Sequence, residues 1–223
     1  MTTLPPPRRV EVYFDYLSPY AYFGQRAIRA ICERRGIELV LSPVLFPALL
    51  NHWGQRGPAE IPAKRAWVFK DAARYAALHR VPFVGPKAHP FNPLTALRLS
   101  LVEVGGADQA KIVETLFDAG WGRGIDLGAP DELARAIDEA GLDGKALLAR
   151  TSDVAVKDTL KKNTETAIAR GTFGVPTFVV GDELFWGSDR MDHIELALDG
   201  RDPLDSAQIT ELLARPRGAD RRT

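Results

Sequence analysis

Ser18 and Pro19 stand directly behind an apolar run rich in β-branched and aromatic residues, Val10–Tyr16. Serine is a favoured helix N-cap and proline fits the first helical position, so a strand is predicted to turn straight into a helix at Pro19. The first N–H groups of such a helix lack intrahelical partners, and its dipole is positive at that end. With the Ser18 hydroxyl beside them, these groups form a place to hold an anion. The chain has one cysteine, Cys32, so the anion is read as a thiolate brought in by a cofactor. An ordinary cysteine thiol titrates near ~8.5, and lowering it by about two units takes roughly 2.7 kcal/mol of preferential thiolate stabilisation. A helix end supplies up to ~2 kcal/mol and a hydrogen bond to a charged group about 1.5–3 kcal/mol. Ser18 and the helix end therefore suffice without a histidine or a metal. The plainer reading of Ser18 is an N-cap and nothing more.

The remaining polar residues are less directive. His52, His79, His89 and His193 are scattered without metal-ligand spacing. His89 and Asn92 lie in an HPFN loop ahead of a helix, and read either as turn and cap residues or as contacts to a second substrate. Cys32 falls on a buried helical position, as an inert core residue. Ser188-Asp189 reads as a cap for the last helix, and Lys64 as a solvated lysine. Tyr13, Phe14 and Tyr16 alternate on the first strand, where Phe14 reads as core.

The elements that must position Ser18 follow from the pattern. The helix Pro19–Arg35 stops at Gly36, and Ile37–Val44 is a second strand, which completes a βαβ unit with parallel strands. Phe46–Pro62 reads as irregular, interrupted by Gly54, Gly57 and Pro58. Helical patterning covers Ala63–Arg80, Leu94–Val104 behind the Asn92-Pro93 start, Asp108–Asp118, Pro130–Ala140, Gly144–Thr151 and Val154–Arg170. The expected stops are Gly120, Gly141 and Gly171. Strand chemistry returns at Val175–Val180, followed by a turn at Gly181-Asp182, a strand Glu183–Trp186 and a helix Arg190–Leu198.

The order βαβ, helical block, ββα predicts an α/β, thioredoxin-like fold. Residues 9–46 and 168–200 form the α/β unit, 47–167 an all-helical insertion, and 201–223 a C-terminal extension. Pro176 opens the third strand. A cis Val175–Pro176 bond would leave the Val175 N–H and C=O facing outward, free to pair with an extended peptide. The alternative is a trans proline at the start of an edge strand.

Composition narrows the functional classes. Lys+Arg and Asp+Glu are balanced at 29 each, which offers no basic stripe for nucleic acid. The Arg215–Arg222 cluster reads as a solvated, frayed end. No apolar run reaches the length of a membrane span, and Met1–Arg9 lacks the apolar region of a secretory signal. One cysteine excludes internal disulfides and a Cys-x-x-Cys pair. The expected location is the cytoplasm.

Four stretches together, FDYLSPYAY, GQRGPAEIPAK, ARGTFGVPTFVV and FWGSDRM, resemble the 2-hydroxychromene-2-carboxylate isomerases and kappa-class glutathione transferases. These are thioredoxin-fold enzymes with a helical insertion, related to DsbA-like oxidoreductases. The resemblance runs from Val10 to about Leu198. It implies a bound glutathione whose sulfur lies against Ser18, with Pro19 and Tyr20 completing the motif. It implies a peptide carboxylate on Lys64, the cysteinyl unit on the Val175 backbone beside Pro176, and the γ-glutamyl end on Ser188 and Asp189. Where that family commonly has asparagine, this chain has Gln55, which offers the same amide groups on a longer stem. Arg56-Gly57 replaces a lysine and a proline of the same loop.

The resemblance implies a glutathione-dependent isomerase that opens the ring of a small aromatic substrate like 2-hydroxychromene-2-carboxylate and yields trans-o-hydroxybenzylidenepyruvate. Its proton-transfer residue is unassigned, with Tyr20 as a guess. Such enzymes are commonly homodimers. The alternatives are a kappa-type transferase that conjugates electrophiles and a non-catalytic peptide-binding module using the Val175 edge. Ser18-Pro19-Tyr20-Ala21 contains no sulfur, which argues against thiol–disulfide exchange.

Overall fold

The computed structural model describes residues 8–219. Residues 1–7, most of the stretch read as lacking a signal, and 220–223, the end of the basic cluster, lie outside the described residues. Strand β1 (Arg9–Phe14), helix α1 (Pro19–Arg35) and strand β2 (Glu38–Pro43) open the chain. Eight α-helices and one π-helical turn (Asp118–Gly122) lie between β2 and the last two strands, besides two short 3-10 turns: α2 (Phe46–His52), α3 (Pro62–His79), α4 (Leu94–Leu99), α5 (Val102–Gly105), α6 (Gln109–Phe117), α7 (Pro130–Glu139), α8 (Gly144–Arg150) and α9 (Val154–Ala169). Strands β3 (Thr177–Val180) and β4 (Glu183–Trp186) then lead into α10 (Met191–Leu198) and α11 (Ser206–Leu213).

The sheet order is β2-β1-β3-β4. β1 runs parallel to β2, with Val12 opposite Leu41, and antiparallel to β3, with Val12 opposite Phe178. This is the α/β sheet with a helical insertion that the element order predicts. β1 is central, and its alternating side chains reach both faces. Val10, Val12 and Phe14 join a core with α1 and the insertion, whereas Tyr13 packs with Val44, Leu49, Val175 and Val179 on the other face. Cys32 is a buried free thiol, and burial, reinforced by Glu33, raises it to about 11. Among the described residues no helix is long and apolar enough to cross a membrane.

α1 keeps its expected bounds because both of its ends are encoded locally. Ser18 caps the start, and Gly36 adopts φ 61° at the stop, where its N–H reaches back to helix carbonyls. Elsewhere tertiary contacts override the pattern. The expected strand through Tyr16 ends at Phe14, because Asp15 accepts the Leu17 N–H and turns the chain. The segment read as irregular contains α2, whose Phe46 N–H is capped by Asp15 from 31 residues upstream. The helix expected over Leu94–Val104 breaks after Leu99, where the buried Ser100 meets the Tyr16 hydroxyl. Gly120 does not stop a helix but lies inside the π turn. Helix α11 forms in the C-terminal extension, where the pattern names no element; Asp205 caps it.

Candidate active site

The turn between β1 and α1 is held from several sides. Asp15 is fully buried, and its carboxylate accepts the N–H groups of Leu17 (3.0 Å) and Phe46 (2.9 Å). The Ser18 N–H donates to the Asp15 carbonyl at 3.2 Å. The next two carbonyls are taken by side chains of the insertion. Trp121 Nε1–H donates to Tyr16 at 2.8 Å, and His89 Nε2 donates to Leu17 at 2.8 Å. The π turn is what brings Trp121 to this position, with its indole stacked on Phe83 at 5.9 Å.

Ser18 ends this turn in extended geometry (φ −103°, ψ 119°) and caps α1 by accepting the Ala21 N–H at 3.2 Å. Its hydroxyl donates to the Val175 carbonyl at 3.2 Å. The Val175–Pro176 bond is cis, in line with the reading of the third strand. One part of that reading is corrected: the Val175 carbonyl is not open but occupied by Ser18. The Val175 N–H has no hydrogen-bond partner among the described residues.

Gly24 explains how the second half of the chain comes so close to α1. A Cβ there would lie 2.9 Å from Phe178 Cζ, 3.1 Å from Pro176 Cγ and 3.5 Å from Ser188 Cβ. The missing side chain lets the cis-proline loop and the Ser188 turn lie directly on the helix. Gly187 reinforces the junction by donating its N–H to the Pro176 carbonyl at 3.0 Å. Ser188 is buried, whereas Asp189 is exposed, pairs with Arg190 at 3.2 Å, and lies near enough to Tyr20 to raise its hydroxyl pKa.

Ser18, Pro19, Val175, Pro176 and Ser188 thus converge, with Tyr20 and Asp189 alongside. Tyr20 does not have a free hydroxyl: it donates to Asp71 of α3 at 2.8 Å. Burial first, and then Asp71, push its pKa far above the usual phenol range. The hydroxyl that the sequence offered as a guess for moving protons is therefore engaged with Asp71 and keeps its own proton throughout the neutral range. Lys64, in the first turn of α3, and Gln55, in the connection ahead of it, are exposed. That region is tied to the site through Tyr20–Asp71 and through Trp53 Nε1–H, which donates to the Thr172 carbonyl at 2.9 Å.

Sequence reasoning missed Asp15, Asp71 and Trp121. Burial pushes the Asp15 carboxyl up to about 7, against the lowering effect of its two N–H donors. An acidic residue within an apolar run, immediately before a capped helix, was the available signal. For His89, burial holds the imidazole below its ordinary range; the Leu17 carbonyl acts in the opposite direction, and the Arg65 charge adds to the lowering. Asn92 serves the turn ahead of α4, accepting the Leu94 N–H at 3.1 Å.

Comparison with known proteins agrees with this fold. Residues 9–199 match the DSBA-like thioredoxin domain. The 2-hydroxychromene-2-carboxylate isomerase of Sphingobium xenophagum is 30% identical over 191 residues, covering 84% of this chain and 96% of that protein. Glutathione S-transferase kappa 1 of Rattus norvegicus is 28% identical, covering 84% and 89%. A solved 2-hydroxychromene-2-carboxylate isomerase superposes with a TM-score of 0.79 at 26% identity, covering 92% of this chain and 98% of that one. The chain belongs to the DSBA-like thioredoxin-domain family, among the 2-hydroxychromene-2-carboxylate isomerases and kappa-class glutathione transferases.

Proposed function

We propose that this protein is a glutathione-dependent isomerase of aromatic compounds like 2-hydroxychromene-2-carboxylate, and that Ser18 holds the glutathione sulfur as a thiolate. The observation that carries the proposal is the Ser18 hydroxyl at the α1 N-terminus, 3.2 Å from the cis-proline loop. The residues present suit a tripeptide with two carboxylates and one ammonium. The unpaired Val175 N–H suits an extended peptide, Lys64 and Gln55 suit one carboxylate, Ser188 the other, and Asp189 the ammonium.

When bound, glutathione supplies a sulfur nucleophile for a conjugated carbon of the substrate. The chain's own task is to keep that sulfur charged and aimed. Ser18, which now donates to the Val175 carbonyl, would turn its proton toward the sulfur and leave that carbonyl to accept the cysteinyl N–H. Pro19 fixes the backbone of the first helical turn, and Tyr20 fastens α1 to α3 through Asp71.

The test is calorimetric titration with glutathione, with thiolate absorbance followed in parallel, and then turnover of 2-hydroxychromene-2-carboxylate. Binding with a thiolate signal and chromene turnover supports the proposal; no affinity for glutathione overturns it. The similar coverage of the rat kappa enzyme favours a second reading, a transferase. Conjugation of an aryl halide without chromene turnover would select it.

A further inference from the structure

We infer that His89 is the proton-transfer residue for the second substrate, in a subsite where Phe69 faces the aromatic ring and Arg65 faces the carboxylate. This rests on the isomerase reading above and supplies the acid–base group left unassigned there, the Tyr20 hydroxyl being engaged with Asp71.

The first observation is the tautomer of His89. Its Nε2 lies 2.8 Å from the Leu17 carbonyl. A carbonyl only accepts, so Nε2 carries the proton and Nδ1 is left as a bare lone pair. That Nδ1 is buried and has no hydrogen-bond partner among the described residues. A buried acceptor left unpaired is costly, and native proteins rarely keep one without a use. Holding the Leu17 carbonyl accounts for Nε2 and leaves Nδ1 unexplained.

The surroundings define what would use it. Phe69 meets the imidazole edge-on at 5.4 Å, and Trp121 lies 5.7 Å away. The Arg65 guanidinium sits 5.1 Å from the centre of the Phe69 ring and is the charged group felt by His89. Arg65 makes no ion pair among the described residues, and its side chain is exposed. An aryl face, a free guanidinium and an acceptor lone pair suit an aromatic carboxylate that also bears a hydroxyl. On helix α3, Arg65 is exposed and Phe69 half-buried against the core, so an incoming ring would reach Nδ1 by displacing the Arg65 side chain from Phe69. The subsite adjoins the sulfur site, because Leu17 directly precedes Ser18.

The chemistry balances within the substrate. The hemiketal O–H bond breaks and its proton passes to Nδ1. The electron pair forms C=O while the ring C–O bond breaks. The Nδ1 proton then returns to the released aryl oxygen, leaving an isomer and the original imidazole. The imidazole is neutral and ready to accept at neutral pH because burial disfavours its cation.

The experiment compares wild type with His89→Gln. Gln keeps an N–H donor for the Leu17 carbonyl but cannot carry a proton. We expect glutathione affinity to remain within about twofold, and kcat for 2-hydroxychromene-2-carboxylate to fall by about a hundredfold or more. The acidic limb of the wild-type pH–rate profile disappears in the variant. Unchanged kcat and pH profile overturn the assignment. A second readout needs neither turnover nor a folded variant: 15N NMR of the wild-type imidazoles during titration with trans-2-hydroxycinnamate or trans-cinnamate. Movement of His89 Nδ1 with the hydroxylated probe alone supports the subsite, even in a protein that fails to turn over the chromene. No movement with either probe overturns it, even in a protein that binds glutathione.

Discussion

The Ser18 hydroxyl and the Val175 carbonyl are bonded to each other across 157 positions of sequence, at 3.2 Å. Each is a group that the proposed function assigns to a peptide ligand, so ligand entry would exchange one hydrogen bond for two. The pair satisfies the hydroxyl and the carbonyl within the protein itself.

Ser18→Ala removes both the N-cap and the donor. The expected loss of stability is roughly 1 kcal/mol, measured by denaturant unfolding. The pKa of bound glutathione thiol should rise by about one to two units, read from thiolate absorbance against pH. A thiolate signal equal to wild type would contradict the proposed role of Ser18.

Gly24→Ala tests the close approach. The new Cβ would sit 2.9 Å from Phe178 and 3.1 Å from Pro176, so the cis-proline loop has to move off α1. Alanine is the better helix former by about 1 kcal/mol, yet overpacking should outweigh it and leave a net cost of about 1–2 kcal/mol. Calorimetry should show weaker glutathione binding as well. A stabilised variant would mean that the loop yields freely.

Asp15 makes stability depend on pH. Its carboxyl has an ordinary value of 3.8 and is raised to about 7 in the fold, chiefly by burial. Between those values the folded protein keeps a proton that the unfolded chain releases, so stability falls as pH rises. The contribution is complete below about pH 4 and is gone above about pH 7. Between pH 5 and 8, wild type should lose roughly 2–3 kcal/mol more than Asp15→Asn, measured by urea unfolding. Equal slopes would show that Asp15 is ionised at little cost.

Tyr20→Phe should behave as a structural change. Losing the bond to Asp71 should cost about 1 kcal/mol, with the shape of the pH–rate profile retained. Loss of a basic limb from that profile would restore Tyr20 as a proton carrier.

The sequence revealed most where one short stretch holds all the information. α1 is legible at both ends because Ser18-Pro19 and Gly36 act on their own neighbours. The cis-proline loop and the Ser188 turn are legible as motifs, and Gly24 supplies the reason that they meet α1. α2 was not legible because Asp15, a distant residue, caps it. The partner of the Tyr20 hydroxyl is not legible because Asp71 lies 51 residues away. Trp121 reads as one more core aromatic until the π turn aims its N–H at Tyr16. In each case the deciding partner is remote in sequence, and no local pattern records it.

The clasp of Trp121 and His89 on the Tyr16 and Leu17 carbonyls sets a rule for making chimaeras. A foreign helical block grafted between β2 and β3 would take both pegs away and leave the turn between β1 and α1 unsupported, however well its new walls suited another aromatic. Engineers who wish to change what this protein accepts should therefore transplant side chains from α3 and keep the loop of His89 and the bulge of Trp121 in place.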